Sequence, residues 1–300
     1  MYMLGSLEDV CYAESLASKA IASYYQSLNV PSSHRIDHFS SIFSECPYEL
    51  SALGEGVEGE FDRFPLYRVD AFDCQTFVET VLALSWSRSF EEFFQKKCFI
   101  SYAGQSIDYF HRAHFICLDW AHLLGDNQCL VNITKSSASK SLKSLLCASS
   151  VTIDRSAWFQ RKSLEAIRLL DSTPVDGLDD ALQDLHSRAR TIAPQRSELV
   201  CIRGKDLLLL SESERRHVLA SIPSGSVMQI IHTGNTFCDK SQTDVHVRHL
   251  GFIIHKDREV FFRHASSEIG CVTDELCEDY LRRCINRAPS MGIMIYQVLL

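Results

Sequence analysis

The sequence predicts an α+β protein whose helices come first and whose antiparallel sheet comes last. Three observations point there. Apolar residues recur at helical spacing across 7–28 and 74–86. From about residue 220 onward the chain changes to short β-branched and aromatic runs separated by turn residues. A single helical pattern interrupts those runs, and no internal repeat is visible.

The elements follow in order. In the first helix Leu7, Val10, Leu16, Ala17, Ile21, Tyr24 and Tyr25 supply the apolar stripe, and Pro31 ends it. Pro31 to Asp70 reads as irregular, with turn residues at Pro47, Gly54, Gly56, Gly59 and Pro65. The helix from Cys74 to Trp86 buries Phe77, Val78, Val81, Leu82 and Leu84, and Asp73 stands where an N-cap belongs. Asp108 to Leu124 is apolar and aromatic, and Lys135 to Ser150 reads as a Ser/Lys-rich surface loop. Residues 155–192 carry two helical patterns, Leu164, Ile167, Leu169 and Leu178, Leu182, Leu185, separated by Pro174 and Gly177. The state of Leu207 to Leu210 is open, but Ser211 and Glu214 have capping-box spacing and start a short helix before Pro223. Strands are expected at Val227–Ile231, Val247–Ile254, Val260–Phe262 and Ile293–Val298, forming a small twisted barrel or half-barrel, with one helix at Thr273–Ile285. The expected organisation is one catalytic domain over 1–300. It comprises a helical part (1–130), a helical insertion (131–215) and a sheet part (216–300).

Composition narrows the function classes. The 300 residues are long enough for a substantial core, with 46% hydrophobic and 23% charged residues and a mean hydropathy of −0.05. Thirty Lys+Arg against 38 Asp+Glu give a net charge of −8, which argues against nucleic acid as a partner. No apolar run reaches the ~18–20 residues of a membrane span. Twelve Cys in 300 residues fall well short of a disulfide scaffold, and no C-x-x-C occurs. The plain reading is buried free thiols in a reducing compartment with one reactive exception. Met1 to Ala20 lacks a basic stretch followed by an apolar core, so the chain as it stands reads as cytoplasmic; a trimmed leader would make it periplasmic or secreted. A monomer is expected.

Three segments hold residues able to do chemistry. Phe72-Asp73-Cys74-Gln75-Thr76-Phe77-Val78-Glu79 puts a cysteine in the first turn of a helix. Unpaired backbone N–H groups and the helix dipole there favour a thiolate and a developing oxyanion. Val247-Arg248-His249-Leu250-Gly251-Phe252 places a histidine at the start of an apolar strand, with Gly251 allowing close packing beside it. Phe262-Arg263-His264-Ala265-Ser266-Ser267 ends the next strand. His249 and His264, 15 residues apart, can sit side by side across a hairpin, one as base and the other as its orienter. Taken singly, each is as well explained by a buried thiol or a half-buried histidine; the order Cys, His, polar orienter is what joins them.

Those motifs together resemble the N-acetylmuramoyl-L-alanine amidase-like family, a branch of the NlpC-type, papain-like cell-wall hydrolases. The resemblance runs from Asp70 to Val298. It rests on the F-D-C-x-T-F-V-E segment and on R-x-H-F-x-x-x-D-W (Arg112, His114, Phe115, Asp119, Trp120). I-P-x-G (Ile222, Pro223, Gly225), H-x-G-F and R-H-A-S-S follow in order. It implies a papain-like core with Cys74 as nucleophile, His249 as base and His264 as the orienting third member, and no metal or other cofactor. It implies a peptidoglycan fragment as substrate, cut between the lactyl group of N-acetylmuramic acid and L-Ala. Relatives in the wider superfamily instead cut the γ-D-glutamyl–diaminopimelate bond, and a non-catalytic module binding cell-wall fragments is a third reading.

Further candidates take a substrate-contact reading beside a structural one. Asp73 and Ser266 flank the catalytic residues. Asp119-Trp120 offers a pocket wall with an indole to stack on a sugar or peptide, or a buried aromatic. Arg112 and Arg263 offer bidentate partners for a stem-peptide carboxylate, or ordinary salt bridges. The pairs His111-x-x-His114 and His246-x-x-His249, with Asp108, Asp119 and Asp244 nearby, complete no metal-ligand pattern.

Overall fold

The computed structural model describes residues 4–137, 144–167, 169–170, 176–233 and 246–300. It is α+β with one antiparallel sheet. The chain opens with α1 (Leu7–Gln26), whose N-cap Ser6 forms a capping box with Asp9, and α2 (Arg35–Ile42), in a region expected to be irregular. Then come α3 (Cys74–Ser85), α4 (Phe90–Tyr102), a π-turn at Ile116–Trp120 and α5 (Ala121–Asp126). Strand β1 (Leu130–Asn132), α6 (Thr134–Ser137), β2 (Leu146–Ile153), α7 (Arg155–Gln160), α8 (Leu178–Ala189) and β3 (Gln195–Arg203) follow. The chain continues through α9 (Gly204–Leu209), α10 (Glu212–Ala220), β4 (Val227–His232), β5 (Val247–Lys256) and β6 (Glu259–Ser266). It closes with β7 (Cys271–Leu276), α11 (Cys277–Arg287) and β8 (Met291–Val298).

The sheet order is β2-β3-β8-β4-β5-β6-β7, with β1 also on β8. Alternation along the strands separates two cores. Met294 and Tyr296 of β8, with Leu250, Phe252 and Ile254 of β5, face a layer containing α2, α3 and α4. Ile293 and Ile295 of β8, with Ile253 of β5 and Phe262 of β6, face α9, α10 and α11. Helices therefore cover both faces, and the central strands are apolar on both sides.

Three expectations need correction. Leu164, Ile167 and Leu169, read as a helical pattern, lie beyond the end of α7 at Gln160 and in no helix. The stretch 131–215 is not a helical insertion: β2 and β3 pair over eight residues, Leu146↔Ile202 to Ile153↔Gln195, and β3 joins β8. Ser149, in the stretch read as a Ser/Lys-rich surface loop, and Ser197 are buried on either side of His246, their hydroxyls 3.0 and 3.2 Å from its ring nitrogens. The segment 273–285 is not one helix either. Cys271–Leu276 pairs with β6, and the helix begins only at Cys277. Leu207, in the run left open, belongs to α9. Pro174, expected to separate two helices, and Asp244 lie outside the described residues.

Candidate active site

Cys74 is the first residue of α3. Its N-cap, Asp73, accepts from Thr76 N–H at 2.8 Å and from Ser51 N–H at 3.0 Å, while Thr76 Oγ1 accepts from Asp73 N–H at 2.9 Å. This fixes where the helix starts and which amides stay unpaired. Those contacts occupy Asp73, read earlier as a substrate contact, with holding the nucleophile's backbone. The start of α3 abuts β5, and the backbone N–H groups of Leu250, Gln75 and Cys74 itself favour the thiolate. Burial, with the Asp73 carboxylate second, nevertheless pushes the thiol up to about 12. The thiolate favoured by helix position alone is therefore not the resting state: desolvation outweighs the amides.

Cys74 and His249 line one cavity of about 170 Å³, closed by Gln75, by His114 to Cys117 and by Val247 to Leu250. His249 Nε2 lies 2.6 Å from His264 Nδ1, with the rings nearly perpendicular at 88°. Gly251 makes that approach possible. A Cβ there would stand 2.8 Å from His264 Cβ and 2.5 Å from Arg263 O. Burial, then His264, holds His249 down to about 3, so the resting imidazole is neutral. Tyr280 of α11 packs its ring on both histidines, with centroids 6.1 and 5.0 Å away.

The sequence reading missed Glu275. Its Oε1 lies 2.9 Å from His264 Nε2, and Arg283 pairs with it at 2.7–2.8 Å. In register, His264 faces Thr273, so Glu275 is its diagonal neighbour on the same face of β7. Only the assignment of 273–275 to a strand reveals this. Gln75 was also passed over. Its Nε2 donates to Glu79 Oε1 at 2.8 Å and to Ala113 O at 3.0 Å, tying the nucleophile's helix to the opposite cavity wall. Behind it, Lys97 donates to Glu79 at 2.7 Å and to Ser101 at 2.6 Å in a buried network.

The remaining candidates do structural work. Arg263 is 1% exposed and grips Asp274 through two bonds at 2.6 and 2.8 Å, together with Asp37 and Ser40. Arg112 pairs with Glu55 and Asp62; burial foremost raises Glu55 to about 8. Arg112 and Asp73 both border a second, polar cavity of about 150 Å³ that shares Gln75 and His114 with the first. Trp120 is 0% exposed and belongs to the core, so its indole has no face open to a sugar. Asp119 accepts from Phe115 N–H at 2.8 Å and pairs with Arg155, which orders the π-turn forming the wall around Cys117. Ser266 is buried and caps the β6–β7 turn by accepting from Ile269 N–H. His111 pairs with Asp108, and His114 bonds Tyr109 O at 2.7 Å, held down to about 3 by burial. Among the described residues no group of three His, Cys, Asp or Glu side chains is placed to hold a metal ion.

The chain is similar to known proteins over most of its length. A family model described as AmiA-like, N-acetylmuramoyl-L-alanine amidase-like, matches residues 38–286. The chain belongs to that family. This amidase-like protein is 31% identical to protein LPG0564 of Legionella pneumophila str. Philadelphia 1, over 97% of each chain, with a TM-score of 0.89. An N-acetylmuramoyl-L-alanine amidase from Bacteroides uniformis ATCC 8492 shares the fold at 17% identity and a TM-score of 0.60. That match spans 88% of this chain and 99% of the other. No curated protein matches the chain. Membership of the amidase-like family suggests activity on a peptidoglycan-related substrate.

Proposed function

We propose that this amidase-like protein is a cysteine amidase, cleaving the amide between the lactyl group of N-acetylmuramic acid and L-Ala in peptidoglycan fragments. One observation carries the reading. Cys74, at a helix start, shares a cavity with His249, and His249 is hydrogen-bonded through His264 to a carboxylate. That is a nucleophile, a base and a group orienting the base. The bond to His264 occupies Nε2 of His249 and leaves Nδ1 for the cavity.

The chemistry follows from two neutral partners. As Sγ bonds the lactyl carbonyl carbon, His249 Nδ1 takes the thiol proton. The carbonyl oxygen becomes an oxyanion beside the unpaired amides at the start of α3. Collapse breaks the C–N bond, and His249 returns the proton to the departing L-Ala nitrogen. Water then gives a proton to His249 as its oxygen attacks the thioester. The C–S bond breaks, Cys74 recovers the proton, and the muramic acid leaves with a free carboxylate.

Mass analysis of the products from a defined muropeptide tests this. The expected products are the muramic sugar with a free lactyl carboxylate and the whole stem peptide. L-Ala-D-Glu retained on the sugar would replace the reading with a γ-D-glutamyl–diaminopimelate endopeptidase. Tight binding without any turnover would make the protein a binding module.

A further inference from the structure

The His249–His264 pair has a direction, and the residues that set it lie outside the Cys74 cavity. A carboxylate only accepts hydrogen bonds, so His264 Nε2, 2.9 Å from Glu275 Oε1, must carry a hydrogen. A neutral imidazole has one N–H, which makes His264 Nδ1 an acceptor. His249 Nε2, 2.6 Å away, must then be the donor, and His249 Nδ1 keeps its lone pair for the thiol.

A second proton on His264 would undo this. Its Nδ1 would become a donor, His249 Nε2 would have to accept, and the His249 hydrogen would move to Nδ1, where a base is needed. Glu275 alone invites that proton. Arg283 opposes it: the guanidinium pairs with both carboxylate oxygens, at 2.8 and 2.7 Å, from α11. Charged and titratable groups reach His264 from β5, β7 and α11. They are His249 on β5, Asp274 and Glu275 on β7, and Tyr280 and Arg283 on α11. Asp274 favours the protonated ring, but it is already paired with Arg263 and Lys256. Burial and, after it, Arg283 hold His264 down to about 4.

We propose that Glu275 and Arg283 are positioning residues that fix the polarity of the histidine pair. Glu275 sets both rings as Nε2–H tautomers, and Arg283 keeps a second proton off His264. The inference rests on the Cys74–His249 reading for its consequence in turnover, but the tautomers are measurable without substrate.

Nitrogen-15 spectra of the histidine-labelled full chain at pH 7, assigned with single histidine variants, read the tautomer directly. Both rings are expected as Nε2–H, with Glu275→Ala losing that state and Arg283→Met showing a doubly protonated His264. Arg283→Lys, which keeps the charge, is expected to retain the neutral ring and guards against Arg283→Met simply unfolding. In muropeptide turnover, Glu275→Ala and Arg283→Met are each expected to lower kcat about 100-fold with KM within about twofold. Wrong-tautomer substitutions one bond nearer the base cost about 10⁴. An Nδ1–H tautomer in the parent at either ring overturns the proposal. So do parental tautomers in Glu275→Ala, or a KM effect with unchanged kcat. Nε2–H tautomers in a protein that cleaves no muropeptide would sink the amidase reading and leave the polarity standing.

Discussion

Gly251→Ala is the sharpest single-atom test of how the site is built. The added methyl would meet Arg263 O at 2.5 Å, His264 Cβ at 2.8 Å and Phe262 Cε2 at 2.8 Å. Two of those atoms belong to the backbone or are fixed to it, so neither can swing away. Ordinary contact needs roughly 3.5 Å, so β5 and β6 must part by about 0.7–1 Å. Overpacking of this kind costs about 1–3 kcal/mol, which in a chain of this size lowers Tm by roughly 2–8 °C. The same displacement would stretch the His249–His264 contact from 2.6 Å to about 3.3–3.6 Å, at or past the limit of a useful hydrogen bond. The expected result is a folded protein by circular dichroism, a lower Tm, and muropeptide turnover down at least about tenfold well below Tm. Gly125→Ala is the control. Nothing stands within 4 Å of its Cβ, and it lies in α5, so the change should be neutral or stabilising by up to about 1 kcal/mol. Parental turnover and Tm in Gly251→Ala would refute the argument that this glycine makes room for the histidine pair.

Cys74→Ser should abolish turnover and leave the fold intact, whereas replacing any other cysteine should keep the rate within about tenfold; near-parental turnover in Cys74→Ser would discard the thiol mechanism. EDTA should leave turnover unchanged and iodoacetamide should end it, with the Cys74 peptide carrying the label by mass analysis. Lys97→Met strands the buried Glu79 and should cost about 3–5 kcal/mol in urea unfolding, while the double change Lys97→Met with Glu79→Leu should recover most of it. His114 is held neutral in the fold at about 3 but titrates near 6.5 when unfolded, so the unfolded chain binds the extra proton. Its contribution is therefore fully present above pH 6.5 and lost as pH falls toward 3. The stability gap between parent and His114→Phe should shift by about 1.4 kcal/mol per pH unit across that window. Comparing the two proteins cancels Glu55, raised to about 8, which acts in the opposite sense.

Much of the nucleophile's setting is local. Asp73 caps and Cys74 leads a helix because Asp73 and Thr76 bond each other three residues apart, and a pattern of that range is written in the sequence. The strands β4, β5, β6 and β8 are likewise legible, since strands covered on both faces carry runs of consecutive apolar residues. So is the pairing of His249 with His264, because a tight hairpin fixes the register of residues that lie 15 apart.

Strands β2 and β3 were not legible. They lie at one end of the sheet, with polar residues such as Ser149 and Ser197 that His246, far off in sequence, helps to make buriable. Thr273 to Glu275 carry the polar residues of a helix start, yet they form a strand because Arg263 and His264 on β6 supply partners for Asp274 and Glu275. The fate of each charge was decided the same way. Arg112, Arg263 and Asp119 look in sequence like hands held out to a substrate, and the fold gives each a buried or half-buried partner. A buried charge without a partner costs several kcal/mol, and a partner can come from anywhere the chain returns. The sequence by itself thus determined the residues whose roles depend on neighbours a few positions away. Only the tertiary structure decided which polar groups are spent on one another and which are left for chemistry, because burial and long-range pairing set that energy and neither is a local property.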